Sequence, residues 1–157
     1  MENPMNIVFK PQLLLKTLLS VALALFVTSS HAENDKSKKT TSLHEVMETL
    51  GHHMEKVTAA ISREDWELVA ELAPKIAHHP EPEKSEKMEI LAWLGTDAGK
   101  FRGFDLEVKQ HATAMGEAAK EGDGLKVIES FSKTQQSCFA CHQMFRKPFV
   151  ERFYEKD

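Results

Sequence analysis

The amino-acid sequence predicts an all-α fold, an antiparallel four-helix bundle. From Ser42 onward, apolar residues recur every three or four positions, and no alternating strand pattern competes with this helical period. Short polar connections separate most of the amphipathic segments, and one longer crossover joins the second segment to the third. Four amphipathic helices connected in this way are typical of a bundle.

Helices one and two each begin at a recognisable cap. Ser42 and Glu45 have the spacing of a capping box, and Ser62 with Asp65 indicates the start of the second helix. We expect Pro74 to kink or restart helix two, because proline lacks an N–H group and crowds the preceding turn. One face of helix one is apolar and consists of Leu43, Val46, Met47, Leu50, Met54, Val57 and Ile61.

The crossover follows helix two. The residues from His78 to Pro82 include two prolines, which resist helical geometry and end the second helix. The segment from Lys84 to Leu94 predicts a short helix, and Gly95-Thr96-Asp97 forms a junction into helix three. The crossover therefore contains helical structure of its own.

Helices three and four complete the bundle. Helix three runs to about Glu121 and ends at the breaker Gly122-Asp123-Gly124. Helix four runs from about Leu125 to Arg146, and we expect Pro148 to interrupt its end. The aromatic residues after Pro148 then form a packed tail.

The N-terminus has the pattern of a signal peptide. Lys10 and Lys16 precede an apolar run over residues 18–27, and the small residue Ala32 follows at the expected cleavage position. The alternative is a membrane anchor, but the run is shorter than the roughly 20 apolar residues that span a bilayer. We therefore expect export and cleavage near Ala32.

This division gives a signal peptide at residues 1–32, a disordered leader at 33–41 and one bundle domain at 42–157. Cleavage would leave 125 residues with 18 basic and 23 acidic side chains, a net charge of −5. That size suits one domain with its own core. The mildly acidic balance argues against nucleic acid as a partner, and we expect no membrane association after cleavage.

The only two cysteines lie in the run Cys138-Phe139-Ala140-Cys141-His142. This pattern is typical of a covalent attachment site for c-type haem. On a helix, residues three and four apart share a face, so Cys138, Cys141 and His142 would point the same way. Both thiols can then form thioether links while the imidazole reaches the iron.

Three other interpretations of the cysteines are a redox pair, half of a zinc site and a structural disulfide. A thioredoxin-like redox pair should lie near a strand-helix-strand pattern, which the sequence lacks. A structural zinc site usually needs four ligands, so distant histidines would have to complete it. Only haem attachment explains a histidine directly after the second cysteine.

The chain resembles the cytochrome c′ family, including the low-spin members in which methionine is the second iron ligand. The resemblance rests on the bundle pattern, on a haem motif in the last helix, and on the continuation of that motif to Phe145 and Arg146. In ordinary small cytochromes c, the motif lies near the start of the chain. The resemblance implies one covalently bound haem c near the C-terminal helix.

The family pattern also implies a role for each matching residue. Cys138 and Cys141 would be the thioether ligands of the haem, and His142 the proximal iron ligand. Arg146 would lie close to the proximal histidine or to a haem propionate, the alternative being an exposed surface arginine. Met47, in the first turns of helix one, is the candidate distal iron ligand.

The distal ligand is less firmly indicated than the proximal one. Low-spin relatives often have Arg-Gln shortly before the ligand, where this chain has Leu43-His44. Met47 could instead fill the core, as methionine often does on an apolar helix face, and leave the iron five-coordinate. His44 is a further imidazole nearby, which we expect to be exposed or close to a propionate.

The remaining histidines and aromatic residues predict no specific site. His52, His53, His78 and His79 stand in polar surroundings, where any metal binding would be adventitious. Phe101 and Phe104 lie on an inward helix face and could line a haem pocket, but we expect them to be ordinary core.

The leading functional hypothesis is a periplasmic monohaem electron carrier that is not an enzyme and exchanges electrons with redox partner proteins. The alternative is a five-coordinate cytochrome c′ that binds a diatomic gas, nitric oxide or carbon monoxide. A peroxidase would need a distal acid–base group, and no distal histidine or arginine is indicated. Family members often form dimers, so a homodimer is a further candidate assembly.

Overall fold

A computed structural model describes residues 41–155 as an all-α protein, which confirms the predicted fold class. The predicted signal peptide, and all of the leader except Thr41, lie outside the described residues. Between residues 41 and 155, no helix is both long enough and apolar enough to cross a membrane. The α-helices are α1 (Leu43–Ser62), α2 (Trp66–Ala77), α3 (Lys84–Leu94), α4 (Ala98–Lys120) and α5 (Gly124–Phe149).

Helices α1, α2, α4 and α5 form the bundle, and α3 lies in the crossover between α2 and α4. The capping box at α1 is present: the Ser42 hydroxyl accepts the Glu45 N–H at 3.1 Å, and the Glu45 carboxylate accepts the Ser42 N–H at 3.0 Å. Asp65 caps α2 through the N–H of Leu68 at 3.1 Å. Ser42 and Asp65 therefore set the helix starts as the sequence predicts, but Ser62 ends α1 and donates its hydroxyl to the Thr58 carbonyl.

Both internal prolines lie inside continuous helices, so helix two is not restarted at Pro74, and the prediction that Pro148 interrupts the last helix is wrong. Helix α2 continues past Pro74 to Ala77, and the N–H of His78 donates to the Pro74 carbonyl at 2.8 Å. Helix α5 passes Pro148, and Val150–Tyr154 continue it as a wider π-helical turn. In both cases tertiary packing outweighs local geometry, because buried side chains flank each proline.

The main core lies among α1, α2, α4 and α5 and consists mainly of small and aliphatic residues. Its members are Val57, Ala60, Val69, Leu72, Ala73, Ile76, Ala77, Val108, Ala112, Met115, Ala118, Ala119 and Val127. Gly116 allows α2 and α4 to approach closely, since a β-carbon added there would lie 3.1 Å from that of Ala73. This part of the bundle is tightly packed.

A second cluster is aromatic and links α3, the start of α4 and the end of α5. Its buried members are Ile90, Leu94, Phe145 and Phe149, with Leu43, Ala98, Phe101, Phe104, Cys141 and Phe153 packed against them. Phe101 lies 5.5 Å from both Phe145 and Phe149 between ring centroids. We call this set the aromatic cluster. It borders the cavities described below.

Candidate haem site

Helix α5 places Cys138, Cys141 and His142 at one cavity. All three line a space of about 60 Å³, whose wall also includes Met47 of α1. Both cysteines are free thiols. Burial raises the pKa of Cys138, and it raises the pKa of Cys141 to about 11, so both groups are protonated at neutral pH. The structure therefore brings the motif residues together as the sequence predicts.

The zinc interpretation lacks ligands in the part of the chain that the structure describes. No three His, Cys, Asp or Glu side chains within residues 41–155 converge as a metal-binding group. The two thiols are not joined as a disulfide either. The motif keeps the imidazole of His142 next to its two thiols, as haem attachment requires.

His142 favours the neutral form that can ligate iron. Partial burial lowers the pKa of His142, and the positive charge of Arg146 lowers it further. Arg146 and His142 line the same cavity of about 310 Å³. Arg146 thus lies beside the predicted proximal ligand, where its charge acts on the imidazole.

Met47 faces the cavities and not the core. Its neighbour Val46 is only 1% exposed and takes the buried position, whereas Met47 is 38% exposed. Met47 lines three adjoining cavities, of about 360, 310 and 60 Å³. The thioether is therefore free to approach a group bound there. Met54, farther along α1, packs against the main core and borders Cys138 from another side.

The cavity walls are largely apolar. Phe101 lines all three of these spaces, and Leu50, Phe104 and Val108 line the smallest. Phe101 and Phe104 thus belong to the cavity wall, so the expectation that they are ordinary core is incomplete. As a donor set, two free thiols, a neutral imidazole and a thioether fit a c-type haem, which would occupy more than the 60 Å³ cavity alone.

His79 is a cavity residue that the sequence analysis missed. Its side chain is 11% exposed, and its Nε2 lies 2.8 Å from Oδ1 of Asp105 on α4. Both residues line the cavity that Met47 and His142 share. His79 does have polar neighbours, as the sequence predicts, but its place in a cavity wall was not predicted. His79 thus places a second imidazole in the cavity wall.

The charges of this pair are mutually stabilised. The hydrogen bond to Asp105 raises the pKa of His79 against the effect of burial. Burial works to raise the pKa of Asp105, but hydrogen bonds from His79 and Lys109 bring it below its usual value. The only feature of the sequence that could have indicated this pair was Asp105, a carboxylate between Phe104 and Val108 on an inward helix face.

Comparison with known proteins identifies the family. A family model described as cytochrome C′ matches residues 41–146, more than half of the chain. No curated protein and no solved structure matches. The matched segment includes Met47, Cys138, Cys141, His142 and Arg146, and members of this family are haem-binding helical bundles. The chain therefore belongs to the cytochrome c′ family.

Proposed function

We propose that this protein is a periplasmic monohaem c-type cytochrome that transfers electrons, with one haem c bound covalently through Cys138 and Cys141. One observation carries the proposal. The Met47 thioether and the His142 imidazole line the same cavity from different helices, α1 and α5. Two soft or neutral donors in one cavity suit an iron that changes oxidation state without changing its ligands.

Four of the residues that line the cavities would each contribute to binding the haem or to setting its reduction potential. When bound, the haem supplies an iron that alternates between the ferric and ferrous states. His142 offers a neutral imidazole, and Met47 a neutral thioether that favours the reduced state and so raises the potential. Phe101 and Phe104 exclude water, which further disfavours excess charge in the cavity.

The location and partners follow from the predicted signal peptide. Export from the cytoplasm would place the protein where c-type haem is joined to its cysteines, and the periplasm supplies redox partner proteins. The proposed activity needs no bound substrate and no bond chemistry, so the protein acts as a carrier and not as an enzyme. Homodimer formation is compatible with this activity but is not needed for it.

The test is the ferric absorption spectrum of the purified holoprotein. We expect low-spin iron with a methionine-to-iron charge-transfer band in the wild type, and loss of that band in Met47→Leu. Met88→Leu is the matched control, because Met88 is 59% exposed on α3 and lines none of the three cavities. A low-spin spectrum that survives Met47→Leu unchanged would exclude Met47 as the ligand.

The same experiment distinguishes the gas-binding alternative. A wild-type ferric protein that is high-spin, and whose reduced form binds nitric oxide or carbon monoxide readily, would be five-coordinate. Such a result would replace electron transfer with gas binding as the function. A low-spin protein that resists carbon monoxide supports the carrier.

A further inference from the structure

The first turn of α1 is tied to α3 by a carboxylate. The backbone N–H of Leu43 donates to both oxygens of Glu86, at 3.3 and 3.2 Å. Leu43 is the first residue of α1, and N–H groups in the first turn have no partner within the helix. A negative charge at a helix N-terminus is also favoured by the helix dipole. Glu86 therefore holds the start of α1 from outside the helix.

The C-terminal turn completes this contact. The Tyr154 hydroxyl donates to Oε1 of Glu86 at 2.9 Å, and the Tyr154 ring lies 5.3 Å from the ring of His44 between centroids. The adjacent Phe153 is held by Trp93 and Phe149, each at 5.6 Å. The turn is thus anchored in the aromatic cluster while its tyrosine contacts α1 and α3.

The contacts of Glu86 and Tyr154 with the start of α1 lie next to Met47, the predicted distal ligand. Met47 is four residues after Leu43 and so lies on the same face of α1, one turn farther on. Tyr154, Met47 and His142 line one cavity of about 310 Å³. The family match ends at residue 146, so Tyr154 lies outside the matched segment. A contact made by a residue outside the matched segment therefore helps to fix the helix turn that precedes Met47.

We propose that Glu86 and Tyr154 are positioning residues that hold the first turn of α1 so that Met47 faces the haem iron. This inference rests on the proposed function, because it assumes that Met47 is the distal ligand. The two side chains act through the backbone of Leu43 and the ring of His44, and neither is an iron ligand in the proposed site. Without them, the start of α1 keeps its capping box, the hydrogen bond from the Glu83 N–H to the Thr41 carbonyl and the packing of Leu43, and Met47 leaves the iron more often.

The experiment measures how readily imidazole displaces Met47 from the ferric holoprotein. Imidazole is titrated into the wild type, Tyr154→Phe and Glu86→Ala, and binding is followed by absorption. Each variant removes one hydrogen-bonding partner, and we expect imidazole to bind roughly two- to tenfold more tightly in each. Glu89→Ala is the matched control, an exposed glutamate on the same helix, and should bind imidazole as the wild type does.

Two results would overturn the inference. The first is an imidazole affinity in Tyr154→Phe and Glu86→Ala equal to that of Glu89→Ala. The second concerns variants made in the Met47→Leu background, where removing a positioning residue should not change imidazole affinity further. If Tyr154→Phe still strengthens imidazole binding there, it loosens the cavity in general and does not act through Met47.

Failure of the proposed function gives a different result. If Met47→Leu alone leaves imidazole affinity unchanged, Met47 is not the displaced ligand, and both proposals fail together. If Met47→Leu strengthens imidazole binding while Tyr154→Phe and Glu86→Ala do not, only the positioning role is wrong. Thermal unfolding of each variant, followed by circular dichroism, verifies that all are folded at the assay temperature.

Discussion

The main core and the aromatic cluster are packed differently within one bundle. In the main core, α2 and α4 meet through small residues such as Ala73 and Gly116, and Met115 is fully buried. Around the aromatic cluster, bulky rings such as Phe101 stand beside open cavities. Side-chain size sets the distance between packed helices, so small residues close one region and large ones keep the other open. Stability and the binding site are therefore largely separate.

The largest expected effect lies at the cavity. The double variant Cys138→Ser, Cys141→Ser should carry no covalent haem, because no other cysteine can form a thioether. Haem would then separate from the polypeptide on denaturation, which an electrophoresis gel stained for haem detects. Phe139→Ala is the control, since this spacer is 62% exposed and should leave attachment intact. Covalent haem in the double variant would refute the assigned attachment site.

The same substitution in the two regions should separate stability from ligation. Met115→Ala removes a fully buried side chain from the main core, and we expect the free energy of unfolding to fall by about 2–5 kcal/mol. The haem spectrum should stay unchanged. Met47→Ala should do the reverse, with a changed spectrum and, in the haem-free protein, a loss of less than about 1 kcal/mol. Denaturant titration measures both, and equal losses of stability would contradict the comparison.

The main core was the easier region to predict from sequence. Residues such as Val57, Ala112 and Met115 recur with helical period, and local caps such as Ser42 and Asp65 mark the helix starts. Pro148 misled the prediction because the cost of a proline is local, whereas the burial that outweighs it depends on distant residues. Periodicity reports which helix face is apolar, and that is enough to define a core.

The site could be predicted from the sequence only where its functional residues are close together in the chain. Cys138, Cys141 and His142 form one continuous motif, so their common face follows from helix geometry. His79 and Asp105 are 26 residues apart, and no local pattern joins them. Their pairing depends on how the crossover meets α4. Met47 lies between these cases, since periodicity places it on an apolar face but does not distinguish a cavity wall from the core.

The next effect in size concerns the pair of His79 and Asp105, which we expect to contribute about 1 kcal/mol while both groups are charged. The raised pKa of His79 means that its contribution is complete below about pH 6.5 and is lost as the pH rises through the folded-state value. The lowered pKa of Asp105 means that its contribution is present above about pH 4 and is lost as the pH falls through the folded-state value.

This pH dependence is measured by denaturant unfolding of the haem-free protein from pH 4 to pH 9. Asp105→Asn should lower stability most near pH 5–6 and have less effect at pH 9. The pair of His52 and Glu55 is a matched control, because both side chains are more than 70% exposed and their contact should be worth almost nothing. A loss in Asp105→Asn that is the same at every pH would show that His79 is not charged.

The smallest effect compares two glycines of α4. At Gly103, toward the aromatic cluster, an added β-carbon meets nothing within 4 Å, so Gly103→Ala should stabilise the protein by about 0.5–1 kcal/mol through helix propensity. At Gly116 the new β-carbon would lie 3.1 Å from that of Ala73, so crowding should cancel or reverse this gain. Thermal unfolding of both variants measures the difference. Equal stabilisation would mean that α2 can move away from α4 at little cost, and that the main core is less tightly constrained than its contacts indicate.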